Sequence, residues 1–152
     1  MTVIGTPRSF YKKFKFRVEI DGFASSAFQD CSELSAEVAV TEQWEGGAMT
    51  PDKSPGRLTY ADVTLSRGTT TNTDIADWFE EVANAAADSG LVDPAYKRMV
   101  EIVQLDRDGT ELGRKRLYEA WPNKYVAGDW DNTSDDNVIE KLTLSFQFFQ
   151  SV

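Results

Sequence analysis

With no histidine among its 152 residues, the chain lacks the side chain that most often acts as general base near neutral pH and supplies nitrogen to zinc sites. Acid–base work would fall to paired carboxylates, and two adjacent pairs exist, Glu80-Glu81 and Asp135-Asp136. Both sit in polar stretches open to water, where neither burial nor a charged partner is placed to shift a pKa. The one cysteine, Cys31, has no histidine to activate it as a nucleophile. Gly46, Gly47 and Gly56 lack the spacing of a phosphate-cradling loop, and Lys53-Ser54 stands ahead of Gly56 instead of after a glycine pattern. A calcium loop is closer to being spelled out, because Asp129, Asp131, Thr133, Asp135, Asn137 and Glu140 fall at positions 1, 3, 5, 7, 9 and 12 of that motif. Its sixth position is Ser134, where a glycine makes the sharp turn, and a strand pattern follows where a helix is required. The stretch reads as a solvated acidic loop. No catalytic residue, metal ligand set or cofactor is predicted, and the chain is not expected to be an enzyme.

The elements that would position any site are mostly strands. Phe14, Phe16, Val18 and Ile20 alternate with charged residues, and Asp21-Gly22 closes that run. A short segment over 28–31 follows, then a long alternation through Leu34, Ala36, Val38, Val40 and Trp44, with Glu42 the exception on that face. Ala61, Val63 and Leu65 alternate with polar neighbours. Arg98 to Leu105 is rich in Val and Ile and reaches the turn Asp106-Arg107-Asp108-Gly109, a hairpin signal whose partner strand runs from about Glu111 to Tyr118 until Trp121-Pro122 breaks it. In the last strand Val138, Leu142, Leu144, Phe146 and Phe148 share a face, with Glu140 near its start.

One helix is predicted, over about 74–89. Ile75, Trp78, Phe79, Val82 and Ala86 form its apolar stripe, Thr73 or Asp74 caps its start, and Gly90 suits its stop. Trp78 and Phe79 are the expected anchors against a sheet. The fold class is thus mainly β: an antiparallel sandwich or barrel of about six to eight strands with one flanking helix. Residues 1–13 read as an N-terminal arm, broken by Gly5 and Pro7 and made basic by Arg8, Lys12 and Lys13, and residues 14–152 as a single domain.

Between the strand ending at Trp44 and the one resuming at Leu58, residues 45–57 read as a long protruding loop containing Glu45, Gly46, Gly47, Lys53, Pro55, Gly56 and Arg57. Loops of about 12 or more residues inside compact domains tend to be functional. This one is polar, rich in Gly and Pro and longer than a hairpin turn needs, so it is expected to contact another subunit. Charge is distributed unevenly: residues 1–18 carry five positives and no negatives, residues 19–96 three positives and fifteen negatives, and residues 97–152 eight and ten. A net charge of −9 argues against a surface that grips nucleic acid and suits one that must let it pass. A lone cysteine and the absence of an apolar leader in MTVIGTPRSF fit synthesis and folding in the cytoplasm, with no membrane insertion by the chain itself.

The ordered blocks WEGG, KSPGRLTYADVTLSRG, DIADWF, YKRMVEIVQLDRDG, AWPNKYVAGDWD and NVIEKLTLSFQFF resemble the phage tail tube protein family of contractile tails and phage-like contractile injection systems. The likeness spans nearly the whole chain. It implies a structural subunit of the inner tube, forming hexameric rings that stack into a channel for DNA or protein cargo, with contractile sheath and baseplate proteins as partners and a phage virion or injection particle as its setting. A baseplate-proximal tube initiator of the same machine is the near alternative, and a free ligand-binding β-barrel the distant one. On the tube reading, the basic Arg8, Lys12 and Lys13 and the acidic Asp129, Asp131, Asp135 and Asp136 are the expected ring-stacking charges, since stacked rings need complementary top and bottom surfaces.

Overall fold

The computed structural model describes residues 10, 11, 13, 15–23, 28–87 and 94–152. Along these residues the chain forms β1 (Phe16–Ile20), β2 (Asp30–Cys31), β3 (Ala36–Gln43), β4 (Asp52–Tyr60), β5 (Val63–Gly68), α1 (Asp74–Ala87), β6 (Arg98–Leu105), β7 (Glu111–Val126), β8 (Ile139–Ser145) and β9 (Phe148–Ser151). Seven strands make one antiparallel sheet in the order β1-β6-β7-β8-β5-β2, with β9 also on β7, while β3 and β4 pair only with each other. The expected β fold with one flanking helix is therefore present. Phe14, Arg8, Lys12 and the predicted helix end at Ser89 and Gly90 lie outside the described residues.

The sheet turns a corner on β7. Its first half pairs with β6 on one side and β9 on the other, and its second half pairs with β8. Val100 faces Leu117 but Arg98 faces Ala120, so one extra residue is inserted in β7, and Glu119 there takes a φ of 55°. Such a bulge bends and twists a strand. It also resets the alternation: without it Leu117, Glu119 and Trp121 would share the inner face, whereas Leu117, Ala120 and Pro122 are the buried ones. The strand thus continues through Trp121-Pro122, where the sequence suggested a break. Pro122 is tolerated because the register shifts again between it and Lys124, and a bulge is where a sheet can accept a residue with no N–H.

Val18, Ile20, Val63, Leu65, Val100, Leu117, Ala120, Leu142 and Leu144 fill the interior from the two arms of the bent sheet. The last predicted strand is split at Phe146-Gln147 into β8 and β9, with the Gln147 N–H donating to the Tyr118 carbonyl at 3.0 Å. The irregularity shifts the pattern by one, so Phe149 packs on the core while Phe148, expected inside, stacks on Tyr118 with ring centroids 4.5 Å apart. Helix α1 lays Ile75 and Trp78 on the sheet. Its start is held by the Asp77 N–H donating to the Thr73 carbonyl at 2.9 Å and by the Asp74 N–H donating to Asn72 Oδ1 at 3.1 Å. Phe79 and Val82 are half-buried, and Ala86 is exposed, so the apolar stripe is shorter than predicted.

Where β5 meets β8, Arg67 and Glu140 are register partners and form a buried ion pair at 2.5 Å. The Tyr125 hydroxyl donates to the other Glu140 oxygen at 2.8 Å, and Arg67 Nη2 donates to the Asn72 carbonyl at 3.1 Å. Burial first, then the hydrogen bond to Glu140 and its charge, pushes the Tyr125 hydroxyl pKa up. The network ties β5, β7, β8 and the lead-in to α1 together.

Candidate functional site

The feature with no work to do inside the monomer is the hairpin β3–β4. Its register runs from Ala36 opposite Tyr60 at the base to Gln43 opposite Asp52 near the tip. Every residue of β3, and every residue of β4 before Tyr60, is exposed. The alternation Val38, Val40 and Trp44 does build an apolar face, as the sequence indicated, but that face covers nothing: Val38 is 46% exposed, Val40 64%, Trp44 62% and Leu58 49%. At its base the hairpin is held by Tyr60, whose ring meets Phe146 at 5.9 Å and Phe149 at 5.4 Å.

The predicted loop 45–57 is shorter than expected, because β4 already begins at Asp52. Of the assembly residues named from sequence, Glu45, Gly46 and Gly47 form the tip, where the Ala48 N–H donates to the Glu45 carbonyl at 3.1 Å and Gly47 has a φ of +86°. Lys53, Pro55, Gly56 and Arg57 are strand residues on the exposed hairpin. Two features hid the strand: Pro55, and an extra residue in β4 between the pairs Val40–Pro55 and Val38–Leu58. Gly56 lies in this bulge, where a Cβ would come within 2.9 Å of Thr41 Oγ1 and 3.1 Å of the Ala39 carbonyl oxygen. Lys53 reaches Glu42 at 4.0 Å across the pair.

An isolated two-stranded hairpin is marginal in water. Here both outer edges carry unpaired N–H and C=O groups and the faces expose contiguous apolar side chains, the two properties that invite another chain. The arrangement can augment a sheet edge and bury an apolar face at the same time.

A second surface lies on the outer face of β1, β6 and β7. Arg114 reaches Glu19 at 3.0 Å, Glu111 at 2.9 Å and also Glu101, while Arg116 meets Glu101 at 2.9 Å and Arg17 meets Glu19 at 2.9 Å. Three arginines thus match three glutamates, and this face is neutral in spite of the acidic chain. Along β7 the consecutive Arg114, Lys115 and Arg116 divide between the faces: Arg114 and Arg116 join this network, while Lys115 alternates to the other face and contacts Ser151.

Of the two residues named as helix anchors, Trp78 is buried and Phe79 is half-buried, stacked on Tyr125 with ring centroids 6.0 Å apart. Asp129, Asp131, Asp135 and Asp136 lie in the exposed loop before β8, and Lys13 is exposed. The Thr133 N–H and hydroxyl hold the Asp131 carboxyl below its usual range. Glu140, the last position of the calcium-like spacing, is only 3% exposed and committed to Arg67 and Tyr125. Among the described residues no helix is long and apolar enough to cross a membrane.

Comparison with known proteins bears on which assembly this is. No match is found among curated proteins. Among solved structures, a chain of the sheath–tube complex of an extracellular contractile injection system, PVC, in its extended state is 22% identical with a TM-score of 0.78, over 98% of this chain and 95% of that one. A chain of the tube-terminating cap of the anti-feeding prophage is 20% identical with a TM-score of 0.82, over 97% and 93%. A chain of the six-fold symmetrised baseplate of the same prophage is 20% identical with a TM-score of 0.75, over 98% and 97%. At these identities the likeness is one of fold. The sequence profile of the T4-like virus tail tube protein gp19 matches residues 12–150, nearly the whole chain, and the protein therefore belongs to that family of tail tube proteins.

Proposed function

We propose that this tail tube protein forms hexameric rings that stack head to tail into the inner tube of a contractile tail or injection particle, with a lumen that conducts DNA or protein cargo. The observation that carries the reading is the β3–β4 hairpin: a large, exposed, two-edged β element with an apolar face, tied to the monomer core through Tyr60 at its base. Ring closure through strand edges gives those edges partners and removes the aggregation hazard they pose. The six-fold symmetrised baseplate of the anti-feeding prophage, which holds a chain of this fold, supports a ring of six. Sheath and baseplate proteins are the partners outside and below the tube, by analogy with the sheath–tube complex of the PVC system.

The same reading assigns Arg8, Lys12 and Lys13, with Asp129, Asp131, Asp135 and Asp136, to complementary charged surfaces at the junctions between rings or toward sheath and baseplate. The acidic excess of residues 19–96 suits a lumen through which polyanions slide without sticking. The protein is a component of a virion or phage-like particle, made in the cytoplasm. Negative-stain microscopy of the purified protein tests the reading: rings or hollow rods are expected. A chain that remains monomeric when concentrated to hundreds of micromolar would refute it.

A further inference from the structure

Among the described residues the buried charged side chains are Arg67 and Glu140, 5% and 3% exposed. A buried ion pair is a poor source of stability, because well-packed apolar residues of similar volume do as well or better. The register of the sheet gives this pair another task.

Strands β5 and β8 set Val63 opposite Leu144, Leu65 opposite Leu142 and Arg67 opposite Glu140 on the inner face, and Thr64 opposite Thr143 and Ser66 opposite Lys141 on the outer one. Sliding β8 by one residue would turn its whole apolar set outward, which burial forbids. Sliding it by two keeps both faces. In one such slide Val63 meets Phe146, Leu65 meets Leu144, Thr64 meets Ser145 and Ser66 meets Thr143, so apolar still faces apolar and small polar still faces small polar. What fails is the match of the charges: Arg67 lands on Leu142 in that slide and on Val138 in the opposite one. A guanidinium and a carboxylate are then buried without each other, which is strongly destabilising.

Glu140 also reads the other side of its strand. One carboxylate oxygen takes Arg67 of β5 at 2.5 Å, and the other accepts from the Tyr125 hydroxyl of β7 at 2.8 Å. The segment 127–138 ahead of β8 and the irregularity at Phe146-Gln147 behind it are the places where a slide would be absorbed.

We propose that Arg67, Glu140 and Tyr125 form a register lock, which excludes the two-residue slides of β8 that the apolar pattern tolerates. Its use rests on the tube reading, since a subunit repeated in a tube must present the same contacts in every copy.

Cross-strand cysteines on the outer face read the register directly. In a Cys31→Ser background, Thr64→Cys with Thr143→Cys reports the native register, in which the two hydroxyl oxygens stand 3.1 Å apart. Ser66→Cys with Thr143→Cys, and Thr64→Cys with Lys141→Cys, report the two slides. Each protein is oxidised as dilute folded monomer, and the bridged fraction is measured by thiol labelling and mass spectrometry. With Arg67 and Glu140 in place, the native reporter should bridge and the slide reporters at most weakly. Adding Arg67→Met with Glu140→Leu should raise bridging of at least one slide reporter roughly tenfold or more, with a urea midpoint close to that of the parent. Unchanged bridging in the apolar variant overturns the lock. So does an apolar variant that no longer folds, because the pair would then be a stabiliser and not a register device. Both readouts are made on monomer, so failure of the unsubstituted chain to form rings or rods refutes the tube reading without touching the lock.

Discussion

Trp78 offers the sharpest test of how the helix is held to the sheet. It is 1% exposed, its ring meets Phe23 edge-on at 5.6 Å, and its indole N–H donates to the Tyr96 carbonyl at 2.6 Å. Trp78→Ala removes a fully packed aromatic that the rigid sheet cannot replace by collapsing, a loss of about 3–5 kcal/mol. Trp78→Phe keeps most of the apolar volume but takes the donor from the Tyr96 carbonyl, which isolates a part of about 1–3 kcal/mol. Asp77→Ala, one residue earlier and exposed, loses only an acid favourable to the helix start and the acceptor of the Thr73 hydroxyl, about 0.3–1 kcal/mol. At this chain length each kcal/mol moves Tm by about 2–4 °C, so Trp78→Ala should melt roughly 6–20 °C lower and Asp77→Ala within about 4 °C of the parent. The assay is thermal and urea unfolding followed by far-UV circular dichroism on dilute monomer, since assembly adds apparent stability by mass action. Equal and mild losses for the two alanine variants would refute the packing argument and turn the Trp78 face into an interface.

The other predictions use separate parts of the molecule. Replacing residues 41–54 by Asn-Gly, which closes the hairpin on the Val40–Pro55 pair, should leave a cooperatively folded monomer that forms no rods; loss of the folding transition would show that the hairpin belongs to the core. Glu140→Ala takes the carboxylate from a buried guanidinium and should destabilise by about 3–5 kcal/mol, whereas Arg67→Met with Glu140→Leu should recover most of that, as urea midpoints will show. The raised Tyr125 pKa means that the folded chain keeps this proton to higher pH than the unfolded chain. Its contribution is intact below about pH 10 and is lost as pH rises through the folded value, so stability should fall there and fall less in Tyr125→Phe; parallel alkaline profiles would refute this. Reversing Arg8, Lys12 and Lys13 to Glu should slow stacking at low salt and matter less at high salt, where exposed charges are screened beyond about 8 Å or less. Rescue by Asp129→Lys, Asp131→Lys, Asp135→Lys and Asp136→Lys identifies the acidic loop as their partner, rescue by Glu45→Lys and Asp52→Lys identifies the hairpin tip, and unchanged rod growth at both salts would refute any role.

The local elements were legible wherever the chain keeps strict time. Val18 and Ile20, Val63 and Leu65, and Leu142 and Leu144 alternate without interruption, and all are buried. The turn at Asp106–Gly109 forms as its residues dictate, with Gly109 at a φ of +91° and the Asp106 N–H donating to the Thr110 carbonyl at 2.8 Å. Reading failed where one residue is inserted. The bulge at Glu119 reset the alternation of β7, the register shift between Pro122 and Lys124 carried it through a proline, the irregularity at Phe146-Gln147 turned Phe148 outward, and the bulge at Gly56 made a strand look like a loop. Periodicity measures phase, and a bulge changes the phase by one residue while leaving composition untouched. The Arg67–Glu140 pair escaped for a different reason: each residue alone looks like a solvated charge, and only the antiparallel register of β5 and β8, which no local pattern encodes, sets them opposite each other inside the sheet.

The candidate site was legible in kind more than in extent, and the hairpin shows why. Val38, Val40 and Trp44 alternate as a buried strand does, and that pattern states only that an apolar face needs covering. Whether the cover is this chain or another depends on where the strand is carried. Tyr60 marks the point of departure: it is the one half-buried residue of β4, the others being exposed, and its ring is locked between Phe146 and Phe149. Beyond it, the hairpin residues from Asp52 to Thr59 and from Ala36 to Gln43 are all exposed. On the proposed tube reading, the same apolar face that would stabilise a larger monomer becomes an instruction to assemble, and the cost of an exposed and marginal two-stranded ribbon is offset by contact with the next copy.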